Sequence, residues 1–254
     1  MIAAIRQLFC AAQFLTILPI PGNWVKEPGD LSKSMRYYPL VGLLIGALEC
    51  FCYLLASRIF PTWLSVVMTF SFGILLTGGL HLDGFADMCD GFYAGKNRAE
   101  ILSIMKDPHV GTMAILGLFC LLTLKLALLY AVVGQIKLLA AFYFVPSLSR
   151  WVMTVSASLF SYGRSEAGTA QAFVEGAGKV EIFLSALFMA VIAYGFFKFQ
   201  GLCIAGLILG FCLLCARFIA RKLEGVTGDV LGALNELAET AALMALAGFM
   251  RGPA

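Results

Sequence analysis

The chain has 254 residues, 61% of them hydrophobic and 13% charged, with a formal net charge of +3. A mean hydropathy of +0.91 places it well outside soluble globular domains and identifies lipid as its solvent; no nucleic-acid partner is expected. A bilayer-crossing helix needs about 20 mainly apolar residues. Runs of that kind lie near 38–60, 62–80, 112–134, 138–160, 181–199, 201–220 and 230–249. The N-terminal run, 2–20, is apolar but short and is closed by Pro19 and Pro21, so it reads equally as a re-entrant or interfacial helix or as a span. No charged n-region and small-residue cleavage site frame it, and no cleavable signal peptide is expected. No internal repeat or soluble appendage interrupts the pattern. The expected architecture is all-α: one polytopic domain over 1–254, a bundle of about six to eight membrane helices with a polar cavity facing the cytoplasm.

Orientation follows from Lys and Arg. With the loop at 83–90 on the cytoplasmic side, that side carries Lys26, Lys33, Arg36, Lys96, Arg98, Lys106, Arg164, Lys179, Arg217, Arg221 and Lys222. The opposite side carries Arg58, Lys137 and Lys198. Such an excess is the positive-inside pattern.

The chemistry begins where residues 63–80, which carry no charge, open onto His81-Leu82-Asp83-Gly84-Phe85-Ala86-Asp87-Met88-Cys89-Asp90-Gly91. On a helix the positions 83, 87 and 90 fall on one stripe. Stacked carboxylates repel one another unless a cation sits between them, and oxygen-only ligands suit Mg²⁺ or Mn²⁺ rather than zinc. The plainer reading is a solvated acidic helix start that complements the dipole, yet a solvated face rarely opens directly off a membrane-length apolar run. The eight cysteines have no histidine near enough to complete a zinc pattern and read as small hydrophobes.

Next come Gly95-Lys96-Asn97-Arg98 and Ile104-Met105-Lys106-Asp107-Pro108-His109-Val110-Gly111-Thr112. Lys96, Arg98 and Lys106 are candidates to hold phosphate oxygens, or ordinary loop charge. Asp107 is a fourth carboxylate. His81 and His109, the only histidines, are each expected at a water-facing membrane edge, as general base or as a group orienting an aspartate. Late in the chain Asp229, Glu236 and Glu239 share one face of an otherwise apolar helix, a costly placement that usually marks function. Gly228 and Gly232 on that helix leave a smooth patch for a backbone or a ligand. Arg150, near the proline at 146, is a candidate phosphate clamp, and Lys125 and Glu49 are expected to pair inside the bilayer.

The segments Thr77-Gly78-Gly79-Leu80-His81-Leu82-Asp83-Gly84-Phe85-Ala86-Asp87, Ile104-Met105-Lys106-Asp107 and Gly111-Thr112 resemble the cobalamin synthase family, the adenosylcobinamide-GDP ribazoletransferases. So do Phe14-Leu15-Thr16, Tyr38-Pro39-Leu40-Val41-Gly42 and Gly225-Val226-Thr227-Gly228-Asp229-Val230-Leu231-Gly232-Ala233. The likeness runs through the whole chain in order. Departures are Met88-Cys89, where the family more often has Thr-Ala, and Pro108-His109-Val110, where Ser-Arg-Ile is common. The resemblance implies joining α-ribazole, or its 5′-phosphate, to adenosylcobinamide-GDP with release of GMP, dependent on Mg²⁺, at the bacterial inner membrane. For that chemistry Asp83, Asp87 and Asp90 would hold one or two Mg²⁺, with Asp107, Asp229 and Glu236 completing a second site or orienting the ribazole. Lys106, with Arg98 or Arg150, would take the remaining charge, with Lys96 as a further phosphate contact. The base stays open among His81, Asp90 and His109, and assembly as a homo-oligomer stays open too.

Two rival readings exist. A CDP-alcohol phosphotransferase of lipid synthesis also uses aspartates on membrane helices with Mg²⁺, but Asp83-Gly84-Phe85-Ala86-Asp87 lacks that family's arginine and its downstream spacing. A cation transporter using Asp83, Asp87, Glu49 and Asp229 as a path explains intramembrane carboxylates, but not the Lys-rich loop beside them.

Overall fold

In lipid each backbone N–H and C=O must find its partner within its own segment, so apolar runs of membrane length become helices. The computed structural model describes residues 2–22, 24–25, 29–133, 138–164 and 169–249; Lys26 and Lys137 of the charge asymmetry lie outside the described residues. In order these are α1 (Ile2–Leu15), α2 (Asp30–Ser34), a 3-10 turn (Met35–Tyr37), α3 (Tyr38–Ala56), α4 (Thr62–Leu76) and α5 (Leu80–Ala94). There follow α6 (Arg98–Ile104), α7 (Thr112–Val133), α8 (Leu138–Leu159), α9 (Thr169–Gly176), α10 (Lys179–Leu223) and α11 (Gly228–Phe249). Among the described residues there is no β-strand, only an isolated bridge between Tyr162 and Val226.

By length and composition four segments can cross a bilayer: Asp30–Ala56, Thr112–Val133, Lys179–Leu223 and Gly228–Gly248. The pair α4 and α5, bent by 85°, makes a fifth or a re-entrant loop. This is fewer than the expected number of spans. At 14 residues α1 is too short to cross. At 45 residues α10 would be about 67 Å long if straight, twice the hydrocarbon thickness. It is not straight. Lys198 leaves helical geometry (φ 55°, ψ −143°), and a Cβ on Gly201 would sit 2.4 Å from the Ala193 carbonyl oxygen. Residues eight apart in a straight helix are about 12 Å apart, so the chain folds back at Lys198 into arms 179–197 and 199–223, close to the two spans expected there.

The centre of the bundle is α8, which packs against α3, α10 and α11. Between residues 141 and 157 only Tyr143 and Trp151 are not fully buried. Neighbouring helices cover most of this stretch, which is why it tolerates Ser147, Ser149, Arg150, Thr154 and Ser156. Contact with α3 is backbone to backbone. A Cβ on Gly46 would lie 1.9 Å from the Phe142 oxygen, and one on Gly42 would lie 2.4 Å from the Pro146 oxygen. Glycines four apart permit that approach. Pro146 supplies no N–H to the Phe142 carbonyl four residues back, and it is this carbonyl that rests on Gly46.

Two consecutive glycines in the left-handed region, Gly78 (φ 63°) and Gly79 (φ 68°), make the turn between α4 and α5. The loop after α1 closes it, with Ile17 N–H donating to Leu76 C=O at 2.9 Å. Cations collect at one end of the bundle: Arg36 pairs with Glu181, Arg98 with the end of α10, and Arg164 with Asp229. Arg58 follows the far end of α3, and Lys198 marks the fold-back of α10.

Overpacking a tight contact costs about 1–3 kcal/mol. Gly46→Val is therefore expected to lower the thermal unfolding midpoint of the detergent-solubilised protein. Gly206→Val, with nothing within 4 Å of its would-be Cβ, leaves it unmoved. Equal midpoints for both variants would mean that α3 and α8 do not touch.

Candidate active site

The arrangement starts from two glycines. A Cβ on Gly84 of α5 would lie 2.7 Å from Cα of Asp229, and one on Gly232 of α11 would lie 3.2 Å from Cα of His81. Backbone occupies the smooth patch anticipated at Gly232. With α5 laid on the first turns of α11, Asp83 and Asp87, which flank Gly84, meet Asp229 from 142 or more residues away in sequence. Asp83 is exposed, while Asp87 and Asp229 are half-buried. Asp83, Asp90, Asp229 and Arg164 are the charges that act on Asp87. Asp83 and Asp229 lie in the first turns of their helices, where the dipole favours negative charge.

Arg164 is the residue that sequence reasoning placed only among loop charges. Its Nη2 donates to Asp229 Oδ2 at 2.7 Å, and Thr227 Oγ1 reaches the same oxygen at 3.4 Å. The segment before it is clamped to the α10–α11 turn: Val226 N–H donates to Ser161 C=O at 2.8 Å, and Gly163 N–H to Val226 C=O at 2.9 Å. Gly225 (φ 155°) makes room, since a Cβ there would lie 2.5 Å from the Ser161 oxygen. Arg98 completes the clamp, donating to the carbonyls of Leu223 (2.9 Å) and Gly163 (2.8 Å), with Glu224 at 3.4 Å. A cation on the last carbonyls of a helix is favourable, and here it also pins the loop that carries Arg164. No periodicity or local motif signals Arg164.

Asp90, third on the acidic stripe, turns toward α7. Its oxygens accept N–H groups from Gly111 (2.7 Å) and Ala114 (2.8 Å), capping that helix. On the loop between α6 and α7, Asp107 Oδ1 accepts the His109 backbone N–H at 2.9 Å and contacts the ring Nδ1 at 2.5 Å. Those two contacts hold the Asp107 carboxyl below the usual carboxylate range, so it is ionised throughout the physiological range. His109 is exposed. Lys96 and Lys106 are exposed as well, and the Lys96 N–H donates to Glu100 at the start of α6. Val110 joins Asp83, Ala86, Phe14, Ile17 and Leu118 in lining an open cleft of about 630 Å³, a volume within the ordinary range of ligand sites.

Three expectations are corrected. His81 is not at a water-facing edge: it is 3% exposed, against Gly232, and its Nε2 has no partner. Lys125 pairs not with Glu49 but with Glu236 (2.7 Å) and Glu239 (2.6 Å). Arg150 and Glu236 belong to this buried network, away from the open cluster. Arg150 binds Glu239, Ser149 and Asn235 donate to the same carboxylate, and Glu236 lies about 10 Å along α11 from Asp229. The network borders an internal cavity of about 80 Å³ that Glu49 also lines; Thr77 and Leu82 are walls common to cavity and cleft. Lys125 and Arg150 match Glu236 and Glu239 in charge.

Among the described residues no three His, Cys, Asp or Glu side chains converge tightly enough to hold a metal ion alone. Mg²⁺ does not demand such a cage: it commonly takes one or two protein carboxylates, water and substrate phosphate oxygens. The oxygen-only set Asp83, Asp87 and Asp229 fits that mode.

Removing one member of a buried ion-pair network costs about 3–5 kcal/mol. Lys125→Ala, which strands Glu236 and Glu239, is thus expected to unfold in detergent at a much lower temperature than wild type. Retention of wild-type stability would show that the pair is solvated.

Residues 7–247 match the family model described as cobalamin-5-phosphate synthase. A protein of Chlorobium phaeobacteroides (strain BS1) called adenosylcobinamide-GDP ribazoletransferase is 40% identical over 243 residues, covering 92% of this chain and 94% of that one. Proteins of the same name from Geotalea daltonii and Prosthecochloris aestuarii are 35% and 37% identical, covering 95% and 91% of this chain and 97% and 93% of their own. No solved structure matches. A family match over nearly the whole chain, with the acidic segment and the α10–α11 turn inside it, leads to one conclusion: the chain belongs to the cobalamin-5-phosphate synthase family.

Proposed function

We propose that the chain is an adenosylcobinamide-GDP ribazoletransferase, which joins adenosylcobinamide phosphate to α-ribazole or α-ribazole 5′-phosphate and releases GMP. The observation that carries the reading is the cluster of Asp83, Asp87 and Asp229, of which Asp83 lines a ligand-sized cleft, in a chain whose relatives bear that enzyme name. A ribose hydroxyl attacks the phosphorus joined to cobinamide. One P–O bond forms, the P–O bond to the bridging oxygen breaks, GMP leaves with that oxygen, and the hydroxyl proton is released. Such a displacement requires the nucleophile in line and the diphosphate charge neutralised.

Asp83, Asp87 and Asp229 would hold Mg²⁺, which when bound neutralises charge on the diphosphate and the departing GMP. Lys96 and Lys106 add positive charge at the cytoplasmic rim. The apolar cleft wall of Phe14, Ile17, Val110 and Leu118 accepts the apolar surface of the larger substrate and keeps water from it. Of the candidate bases, Asp90 is committed to capping α7 and His81 is buried. His109 takes the proton at Nε2, with Nδ1 held by Asp107, the tautomer that this contact favours. The cleft faces the cytoplasm from the inner membrane, a placement supported by the positive-inside asymmetry and by Arg36, Arg98 and Arg164 sharing its end of the bundle.

Membranes carrying the chain, given adenosylcobinamide-GDP, α-ribazole and Mg²⁺, are expected to form cobalamin and GMP. Chelating Mg²⁺ stops the reaction and restoring it recovers the rate. Asp87→Asn lowers kcat by about 10²-fold or more, the scale of losing one electrostatic contact to the transition state. Equal rates for Asp87→Asn and wild type would remove the metal from this cluster. Absence of cobalamin from folded wild-type protein would return the chain to the lipid phosphotransferase reading. For the base, His109→Ala is expected to lower kcat by about 10²-fold with little change in KM; an unchanged kcat would mean that water takes the proton.

A further inference from the structure

We infer that Arg164 is the diphosphate clamp of the site, trading its ion pair with Asp229 for the phosphate oxygens of an incoming nucleotide diphosphate. The inference rests on the transferase reading above and gives it a substrate-binding residue that no sequence motif marks. The need is electrostatic. Asp83, which lines the cleft, stands with Asp87 and Asp229 as a group of three negative charges, and a diphosphate adds more. Of the arginines first considered for this task, Arg98 is spent on the carbonyls of Leu223 and Gly163. Arg150 is spent on Glu239 and is 2% exposed. Arg164 is the cation that acts on both Asp87 and Asp229.

Its bonding, beside the acidic cluster, leaves donors for a ligand. A guanidinium has five N–H donors in a planar fork suited to two parallel bonds with phosphate. Arg164 donates to Asp229 through Nη2, while its Nε is buried with no partner. A buried donor left unmatched is costly, and a phosphate oxygen would satisfy it. The root of the side chain is fixed as well. Gly163 donates to Val226 and accepts from Arg98, so the backbone immediately before Arg164 is held through both its N–H and its C=O. In the absence of substrate Asp229 keeps the guanidinium charge-balanced at the site.

The test compares Arg164→Lys and Arg164→Ala with wild type and with Arg221→Ala, an exposed arginine outside the site. KM for adenosylcobinamide-GDP is expected to rise about tenfold in Arg164→Lys, which keeps the charge but loses the fork. It rises further in Arg164→Ala, while KM for α-ribazole stays about constant. Calorimetric titration of the detergent-solubilised protein with inorganic pyrophosphate and Mg²⁺ is expected to show the same loss of affinity without any turnover. Arg221→Ala leaves both readouts unchanged. Wild-type KM and pyrophosphate affinity in Arg164→Ala would overturn the clamp. So would variants with lowered melting temperature and kcat but undiminished pyrophosphate affinity, the mark of a merely structural arginine. If wild type forms no cobalamin yet binds pyrophosphate in an Arg164-dependent way, the substrate assignment falls and the clamp stands. If cobalamin forms and the Arg164 variants keep KM, the reverse holds.

Discussion

The backbone contact of α5 with α11 is the constraint on which the open end of the molecule depends. Between helices in lipid there is no hydrophobic drive, because lipid tails are as apolar as leucine; association rests on close packing and polar contacts. Gly84 on Asp229 allows an approach that a side chain would block, and Gly232 on His81 one that a Cβ would crowd. That approach is possible because the Gly78-Gly79 turn bends α5 away from the line of α4 by 85°. Two acidic segments far apart in the chain become one cluster as a result. The same device, with Gly42 and Gly46 on α8, holds the other side of the core.

The charged groups divide into a closed set and an open one, and the division follows from desolvation. Inside the bilayer an unpaired charge is costly, so Lys125, Arg150, Glu236 and Glu239 neutralise one another among helices α7, α8 and α11. Their geometry fixes how those helices meet, and it leaves them little capacity for a substrate. Asp83 and Asp229 lie in the first turns of their helices, where water and the dipole share the cost, and with the half-buried Asp87 they form the open set. A two-turn displacement along α11 is enough to move a carboxylate from one regime to the other.

Several charges that resemble chemistry instead hold the parts that perform it. Asp90 ties the loop bearing Lys106 and His109 to α5 through the N-terminus of α7. Arg98 joins the end of α10 to the segment leading to Arg164. Each satisfies backbone groups that a helix end or a loop would otherwise leave unmatched. The active loops are therefore referred to the same two helices, α5 and α11, that carry the carboxylates.

What could be read from the sequence was what short-range spacing and solvent preference decide. Lipid solvation fixes the helical class, since no other element spans lipid except a closed barrel. The 83 and 87 spacing fixes a shared helix face, and the ordered motifs carry the family. Spacing alone assigned Asp90 to that face too, and its direction toward α7 appeared only with the neighbouring helix in place. Arg164 meets Asp229 across 65 residues and Lys125 meets Glu236 across 111; no pattern within a turn or two of helix bears on such pairs. The apolar run at 138–160 likewise read as a span and gave no sign of the central position of α8, where Arg150 is buried among neighbouring helices. These partners were decided by which helix faces pack. That choice belongs to the tertiary structure, because close packing and charge neutralisation in a low-dielectric interior act on all the helices at once.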